Sequence, residues 1–455
     1  MMRIIDITSA WIYCSLSIIV ISDAFYDARW ITISTVGLVV IYIIMQFRKI
    51  PIQQKLFGSM LLVTGFLVAI ESGNFQEILI EGIVRSSIFL LLFFSIAWLQ
   101  IPVNRSSSLA VVRDKIANQP PGRRFLGLSI GIHILGAILN VAAVGLLSPL
   151  LKDRRDAVLH RRLCLATMHG FTSASAWSPF YIGMIVVLLS IPTLTWSKIA
   201  IPGIAMASVM IFGGWLFDRL CYSGKRSNIS EKLVWGRTQT GVFETIFILT
   251  LLISSVILTL NIAKVSIPVA LGLICPPFGI IWYAIQRKSY RNTDKSVVYI
   301  VNQVIKGFAN LRNETLMFVA ANVFGLALAS IIPIKDMSNL ISLVIPWMDL
   351  RIIFITFIFL FLGVIGLHPI IVVVTLSVIF PHDIIGLRDW ILALVYLGCW
   401  GLATMVSPYS GTTLFMSRFT GIPSHTIGWQ WSFYSVCFTA VLMDVFIIIL
   451  RHATL

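Results

Sequence analysis

The chain carries little charge. Asp, Glu, Lys and Arg make up 12% of its 455 residues, against about 25% in an average soluble domain. Hydrophobic residues make up 58%, and the mean hydropathy is +0.93. No soluble fold hides that much apolar surface, so a soluble enzyme is excluded. Disordered and fibrous proteins need polar or repetitive composition and are excluded too. Cysteine is sparse: Cys14, Cys164, Cys221, Cys275, Cys399 and Cys437 stand apart, with no CxxC pair. They provide neither a disulfide framework nor a metal site. No Gly-rich phosphate loop and no metal-spaced His/Cys cluster occurs, which argues against ATP-driven chemistry within the chain. No cofactor is expected beyond a coupling Na⁺. The first apolar stretch, 7–21, runs into Ser22-Asp23-Ala24-Phe25. No small-x-small cleavage site comes after it, so it reads as a membrane helix rather than a secretory signal.

What the chain has instead is apolar runs of spanning length, which takes about 20 residues each. They fall near 7–21, 30–47, 56–70, 79–99, 125–151, 164–190, 199–217, 241–260, 265–285, 313–333, 352–380, 390–416 and 429–450. Acidic residues are few, 19 against 34 Lys and Arg, for a net charge of +15. That excess gathers in particular loops. Loop 48–55 carries Arg48, Lys49 and Lys55; loop 101–124 carries five basic residues, as does loop 152–162; loop 71–78 carries none. Basic loops face the cytoplasm, so the excess is topological and implies no nucleic-acid partner. The expected site of residence is the cytoplasmic (inner) membrane, multi-pass, with the N-terminus inside and the C-terminus outside.

Two adjacent basic loops flank segment 125–151. A single crossing cannot start and end on one side, so this segment is expected to turn back as a re-entrant hairpin with Asn140 near its tip. Irregular backbone at that depth is tolerated only where protein or a watery cavity surrounds it. Segment 352–380 lies between two charge-poor loops and is expected to do the same from outside, with His368-Pro369 at its tip. The expected fold is an all-α polytopic membrane protein of about 11 transmembrane helices plus two re-entrant hairpins.

The chain repeats itself weakly. Ser178-Pro179-Phe180 and Ser407-Pro408-Tyr409 each interrupt a long apolar segment. Each comes after a hairpin candidate at matched spacing, Asn140 in one case and His368 in the other. The charge-derived topology makes the two copies inverted. The organisation is then N-terminal scaffold helices 1–78; a first repeat 79–285 with hairpin 125–151 and broken helix 164–190; a cytoplasmic linker 286–312; and a second repeat 313–455 with hairpin 352–380 and broken helix 390–416. Inverted repeats with interrupted helices at corresponding positions point to a secondary transporter and its site.

Each proline removes an N–H and frees carbonyls, and each half-helix N-terminus points a positive dipole end inward. The neighbouring hydroxyls of Thr172, Ser173, Ser175 and Ser178, and of Ser407, Ser410, Thr412 and Thr413 beside Gly411, add neutral donors. For any one of them, satisfying a freed backbone group in a kinked helix is the plainer role; as a cluster they form a substrate- or ion-binding candidate with Asn140, Pro179, His368, Pro369 and Pro408. The proposed site has no carboxylate of its own, which suits a small anion better than a cation. His133, His169 and His368 are proton-relay candidates, since histidine titrates near neutrality. Glu244 and Asp444 lie outside the hairpins and broken helices of the two repeats.

This architecture resembles the ion transporter superfamily, and within it the divalent anion/sodium symporters, over about residues 79–450. The family's hairpin tips carry Ser-Asn-Thr; this chain has Leu139-Asn140-Val141 and His368-Pro369 instead. The resemblance implies a homodimer with a hairpin-bearing domain moving against a scaffold. The expected function is secondary symport or antiport of a small anion, coupled to H⁺ or Na⁺. The rival readings are a membrane-embedded enzyme, and a non-catalytic subunit of a cell-envelope assembly.

Overall fold

The computed structural model describes residues 2–26, 28–109, 124–139, 143–144, 156–222, 240–289, 296–331 and 333–454. Every regular element among them is helical. In chain order these are α1 (Met2–Asp23), α2 (Arg29–Gln46), α3 (Ile52–Glu71), α4 (Phe75–Arg105), α5 (Arg124–Leu139), α6 (Ala157–Ser173), α7 (Ile182–Ser190), α8 (Trp196–Tyr222), α9 (Thr240–Ala263) and α10 (Ile267–Ser289). They continue with α11 (Val297–Gly307), α12 (Arg312–Ile331), α13 (Ile334–Val344), α14 (Met348–Ile365), α15 (Pro369–Ile379), α16 (His382–Ile385), α17 (Asp389–Val406), α18 (Gly411–Thr420) and α19 (Phe433–Ala453). Eleven helical stretches among the described residues are long and apolar enough to cross a bilayer. Helices satisfy every backbone group within one segment, which is what hydrocarbon demands. The chain is a multi-pass membrane protein.

The eleven differ from the expected set at two places. The stretch 164–190 does not qualify, because it is cut into α6 and α7. Helix α14 qualifies, because its 18 residues are strongly apolar, with charge only at Asp349 and Arg351 in the first turn. Two stretches expected as loops are helical: α11 lies within 286–312, and α13 within 334–351. Both are amphipathic rather than uniformly apolar, so a search for long apolar runs passes over them.

Two compact units form, each discontinuous in sequence. Unit 1 is Met1–Ser106 with Ile246–Ile332; unit 2 is Ser107–Thr245 with Pro333–Leu455. In unit 1, α4 packs on α10 and α3 packs on α12. Small residues permit the approach: a Cβ at Gly65 would meet the Phe324 backbone at 3.1 Å, and one at Gly82 would meet Val323 at 2.7 Å. Two buried tyrosines spend their hydroxyls on helix carbonyls, Tyr13 on Leu90 (2.9 Å) and Tyr42 on Phe308 (2.6 Å). Arg85 pairs with Glu81 one turn before it, as the spacing implies.

Unit 2 holds both Ser-Pro segments. Helix α17 is its centre, buried along almost its whole length; α6, α8, α14 and α19 pack on it, and α5 packs on α6 and α8. The ends are clamped. Arg162, near the start of α6, makes two 2.7 Å bonds to Asp218 at the end of α8. Arg388, just before α17, donates to the Thr454 carbonyl just after α19 (2.5 Å).

Candidate functional site

Both prolines break their helices. α6 tightens into a 3₁₀ turn at Ala174–Ala176 and stops; the chain runs irregularly through Trp177–Tyr181 before α7 begins. α17 stops at Val406, and Ser407-Pro408-Tyr409-Ser410 leads into α18. Pro179 and Pro408 can neither donate to the preceding turn nor fit against it, so the interruptions sit where the sequence places them.

Of the first hairpin candidate, 125–151, α5 is the leading arm and ends at Leu139; Asn140 lies outside the described residues. Segment 352–380 forms two arms, α14 and α15. Between them Gly366 adopts φ +106°, a conformation that suits glycine. His368 caps α15, its Nδ1 accepting from the Ile370 N–H at 3.3 Å, and Pro369 takes the first position, where a missing N–H costs nothing.

Each break is packed against neighbouring elements. At the first, Ser178 Oγ donates to the Ala137 carbonyl of α5. A Cβ at Gly203 of α8 would run into the Ala176 carbonyl. At the second, a Cβ at Gly366 would run into the Tyr409 ring, and one at Gly428 would lie 2.6 Å from the Val406 carbonyl. Helices α5 and α8 therefore close on the first break, and the turn before α15 and the π-helical turn Thr426–Ser432 close on the second. The two broken helices also touch. Ser175 Oγ lies 2.7 Å from the Thr172 carbonyl and 2.9 Å from the Leu397 carbonyl of α17. Gly401 permits this crossing, since a Cβ there would lie 2.6 Å from the Thr172 carbonyl. Trp400 of α17 packs between Gly183 of α7 and the edge of His368, whose ring centroid is 6.4 Å away.

Most of the candidate hydroxyls are engaged with the backbone. Thr172 donates to Met168 (2.8 Å) and Ser173 to Gly170 (2.9 Å). Ser410 Oγ donates to the Thr404 carbonyl (2.5 Å) and accepts from the Thr413 N–H (3.1 Å) as the α18 cap. Thr413 Oγ1 donates to the Ser407 carbonyl (2.6 Å). Ser407 and Thr412 are buried, at 2% and 7% exposure, and their hydroxyls hydrogen-bond no described residue. They flank Gly411, beside which a Cβ would meet nothing within 4 Å. At this N-terminus, Ser407 and Thr412 have hydroxyls to offer a ligand, with unpaired backbone N–H groups behind them.

The three histidines separate. His169 is sealed in: Nε2 meets Ser435 Oγ of α19 at 2.5 Å, and Gly214 of α8 leaves room for its ring. His368 is occupied as the cap of α15. His133 of α5 is partly exposed and joins Ser173 and Trp177, its Nδ1 2.9 Å from Ser173 Oγ and its Nε2 3.1 Å from Trp177 Nε1. Trp177 is absent from the sequence candidates. Its signal is an indole N–H beside a proline break at membrane depth, where such a donor needs a partner. Asp444 is another group that sequence position undervalues: it accepts from Thr356 Oγ1 of α14 (2.7 Å), and Cys399 Sγ of α17 lies 3.6 Å from the same hydroxyl.

The chain shares its fold with solved membrane transporters. It aligns with the YdaH transporter of Alcanivorax borkumensis at TM-score 0.51 and 12% identity, covering 78% of this chain and 84% of that one. It aligns with MtrF of Neisseria gonorrhoeae, described with a class of antimetabolite efflux pumps, at TM-score 0.60 and 13% identity, covering 83% and 85%. No family model matches the sequence, and no curated protein matches it. At such identity the likeness is one of fold.

Proposed function

We propose that the chain is a secondary active transporter that moves a small anion across the cytoplasmic membrane by alternating access, coupled to H⁺ or Na⁺. The observation that carries this reading is the pair of broken helices in unit 2, the first closed in by α5 and α8 and the second by the Gly366 turn and the π-helical turn at Gly428. Two Ser-Pro breaks at matched spacing support an inverted repeat, and the clamps at Arg162 and Arg388 fall near the starts of the two broken helices. Such repeats form their substrate site where the interrupted helices meet.

The start of α18 supports an anion. Ser407 and Thr412 hydroxyls, the open space at Gly411 and the dipole of α18 make a neutral cradle with no carboxylate in it. Ser173, Ser175, Ser178 and Thr413 shape the breaks, their hydrogens being spent on backbone carbonyls. The division into two units supports movement of a hairpin-bearing part in a homodimer, as the resemblance implies: the hairpin arms and both breaks all belong to unit 2. MtrF adds a direction to test, since it is described with efflux pumps.

The test is reconstitution into liposomes with an imposed pH or Na⁺ gradient. Uptake and release are measured for a panel of organic acids, inorganic anions and acidic antimetabolites. At least one anion should move in a gradient-dependent way, and Ser407→Ala with Thr412→Val should weaken its apparent binding. No gradient-dependent flux over the whole panel overturns the reading.

A further inference from the structure

His133 has three hydrogen-bonded neighbours in line, and their donor roles are determinate. Indole N–H is a donor and never an acceptor. Trp177 Nε1 lies 3.1 Å from His133 Nε2, so Nε2 must present its lone pair. A neutral imidazole then carries its proton on Nδ1. That proton points at Ser173 Oγ, 2.9 Å away, and Ser173 passes its own proton to the Gly170 carbonyl, also 2.9 Å away. The chain Trp177→His133→Ser173→Gly170 therefore runs in one direction. Reversing the His133–Ser173 step would put the ring's hydrogen on Nε2, facing the indole N–H. A histidine tautomer is ordinarily an assignment rather than an observation; here the donor-only indole decides it.

The line ties three pieces of unit 2 together. His133 belongs to the hairpin arm α5, Ser173 ends α6, and Trp177 opens the first break. Trp177 is held from its other side as well, its carbonyl accepting from Trp196 Nε1 at the start of α8 (2.8 Å). His133 and Trp177 are both partly exposed rather than sealed in.

We propose that His133 is the proton-binding residue of the coupling cycle, and that its protonation releases Trp177 and so unlatches hairpin arm α5 from the first helix break. A proton can join His133 only at Nε2, the atom Trp177 occupies. The imidazolium then presents N–H to N–H, and the indole must leave. This rests on the transporter reading and specifies H⁺ as the coupling ion.

The titratable groups on the neighbouring elements are engaged elsewhere or do not bond His133. His169 of α6 is on Ser435. Arg162 of α6 and Asp218 of α8 hold each other. Lys198 of α8 sits by Asp389. Cys164 of α6 and Tyr181 beyond the break make no hydrogen bond to the imidazole. No described carboxylate hydrogen-bonds the ring, so the contest at Nε2 lies between the proton and the indole.

The experiment uses the full chain in nanodiscs, with ¹⁵N-labelled histidine, and identifies the His133 signals by their loss in His133→Gln. The neutral form should be the Nδ1–H tautomer. Lowering the pH should protonate Nε2 together with a shift of one indole N–H signal, that signal being absent from Trp177→Phe. Trp177→Phe removes the competing donor, so proton binding and the pH profile of transport should both move to higher pH by about half a unit to one unit. His133→Gln should retain anion exchange and lose the response to a pH gradient. An Nε2–H tautomer overturns the proposal, as does an unchanged profile in Trp177→Phe. Should His133→Gln fail to fold, Trp177→Phe identifies the signals and carries the test. Flux that persists without any dependence on His133 removes this residue's role and leaves the transporter reading standing. Coupled titration of His133 and Trp177 without any flux does the reverse.

Discussion

Arg162 and Asp218 tie the start of α6 to the end of α8. Asp218 is buried, its side chain 3% exposed, and Arg162 grips both its oxygens. Removing one partner strands a buried charge, which costs more than the pair itself contributes. Arg162→Ala should lose about 3 kcal/mol, read as a lower thermal unfolding midpoint in detergent. Adding Asp218→Asn should recover part of that loss. Gly170 makes the complementary case for packing. Any Cβ there would run into the Ser129 carbonyl and Ile132 of α5, so α5 lies against α6 with no space to give. Gly170→Ala should cost about 3 kcal/mol, at the upper end of overpacking effects. It should also prise apart the His133 line, which the histidine ¹⁵N signals would report.

At the scale of elements, the breaks combine a local stop with a restart. The proline stops the helix, and the next helix needs a cap of its own. At the second break the cap is Ser410, which receives the Thr413 N–H. Ser410→Ala should destabilise by about 1 kcal/mol, the usual cost of a lost cap, and a midpoint measurement would show it. Pro408→Ala acts differently. It restores an N–H and lets α17 continue, so the cradle at Gly411 should close: anion flux should fall at least tenfold while the unfolding midpoint changes little. An equal fall in both would mean the break is structural support rather than a binding feature. The existence of both breaks was legible, because proline acts on its own turn. So was the turn before α15, where Gly366, His368 and Pro369 are each local signals. The amphipathic α11 and α13 were not, since nothing in a run of apolar residues marks a short helix with a polar face.

For the whole molecule, the charge distribution makes a topological prediction. Of the 34 Lys and Arg, 26 fall in the segments assigned to the cytoplasm. Single cysteines placed in a cysteine-free background should therefore react with a membrane-impermeant reagent from outside at Asn74 and at Thr454, and only after permeabilisation at Gln53. Labelling at Gln53 in intact cells would invert the assignment.

Composition alone determined that this chain lives in a bilayer, because 58% hydrophobic residues have nowhere else to go. Proline and glycine positions determined where helices stop, since their constraints act within one turn. Tertiary structure decided which polar groups remain for function. Ser173, Ser175 and Ser178 looked equivalent to Ser407 and Thr412 along the chain; the first three are spent on carbonyls up to 222 residues away, and the latter two are not. The partnership of His133 with Trp177 spans 44 residues, a distance over which only packing can say which nitrogen meets which donor.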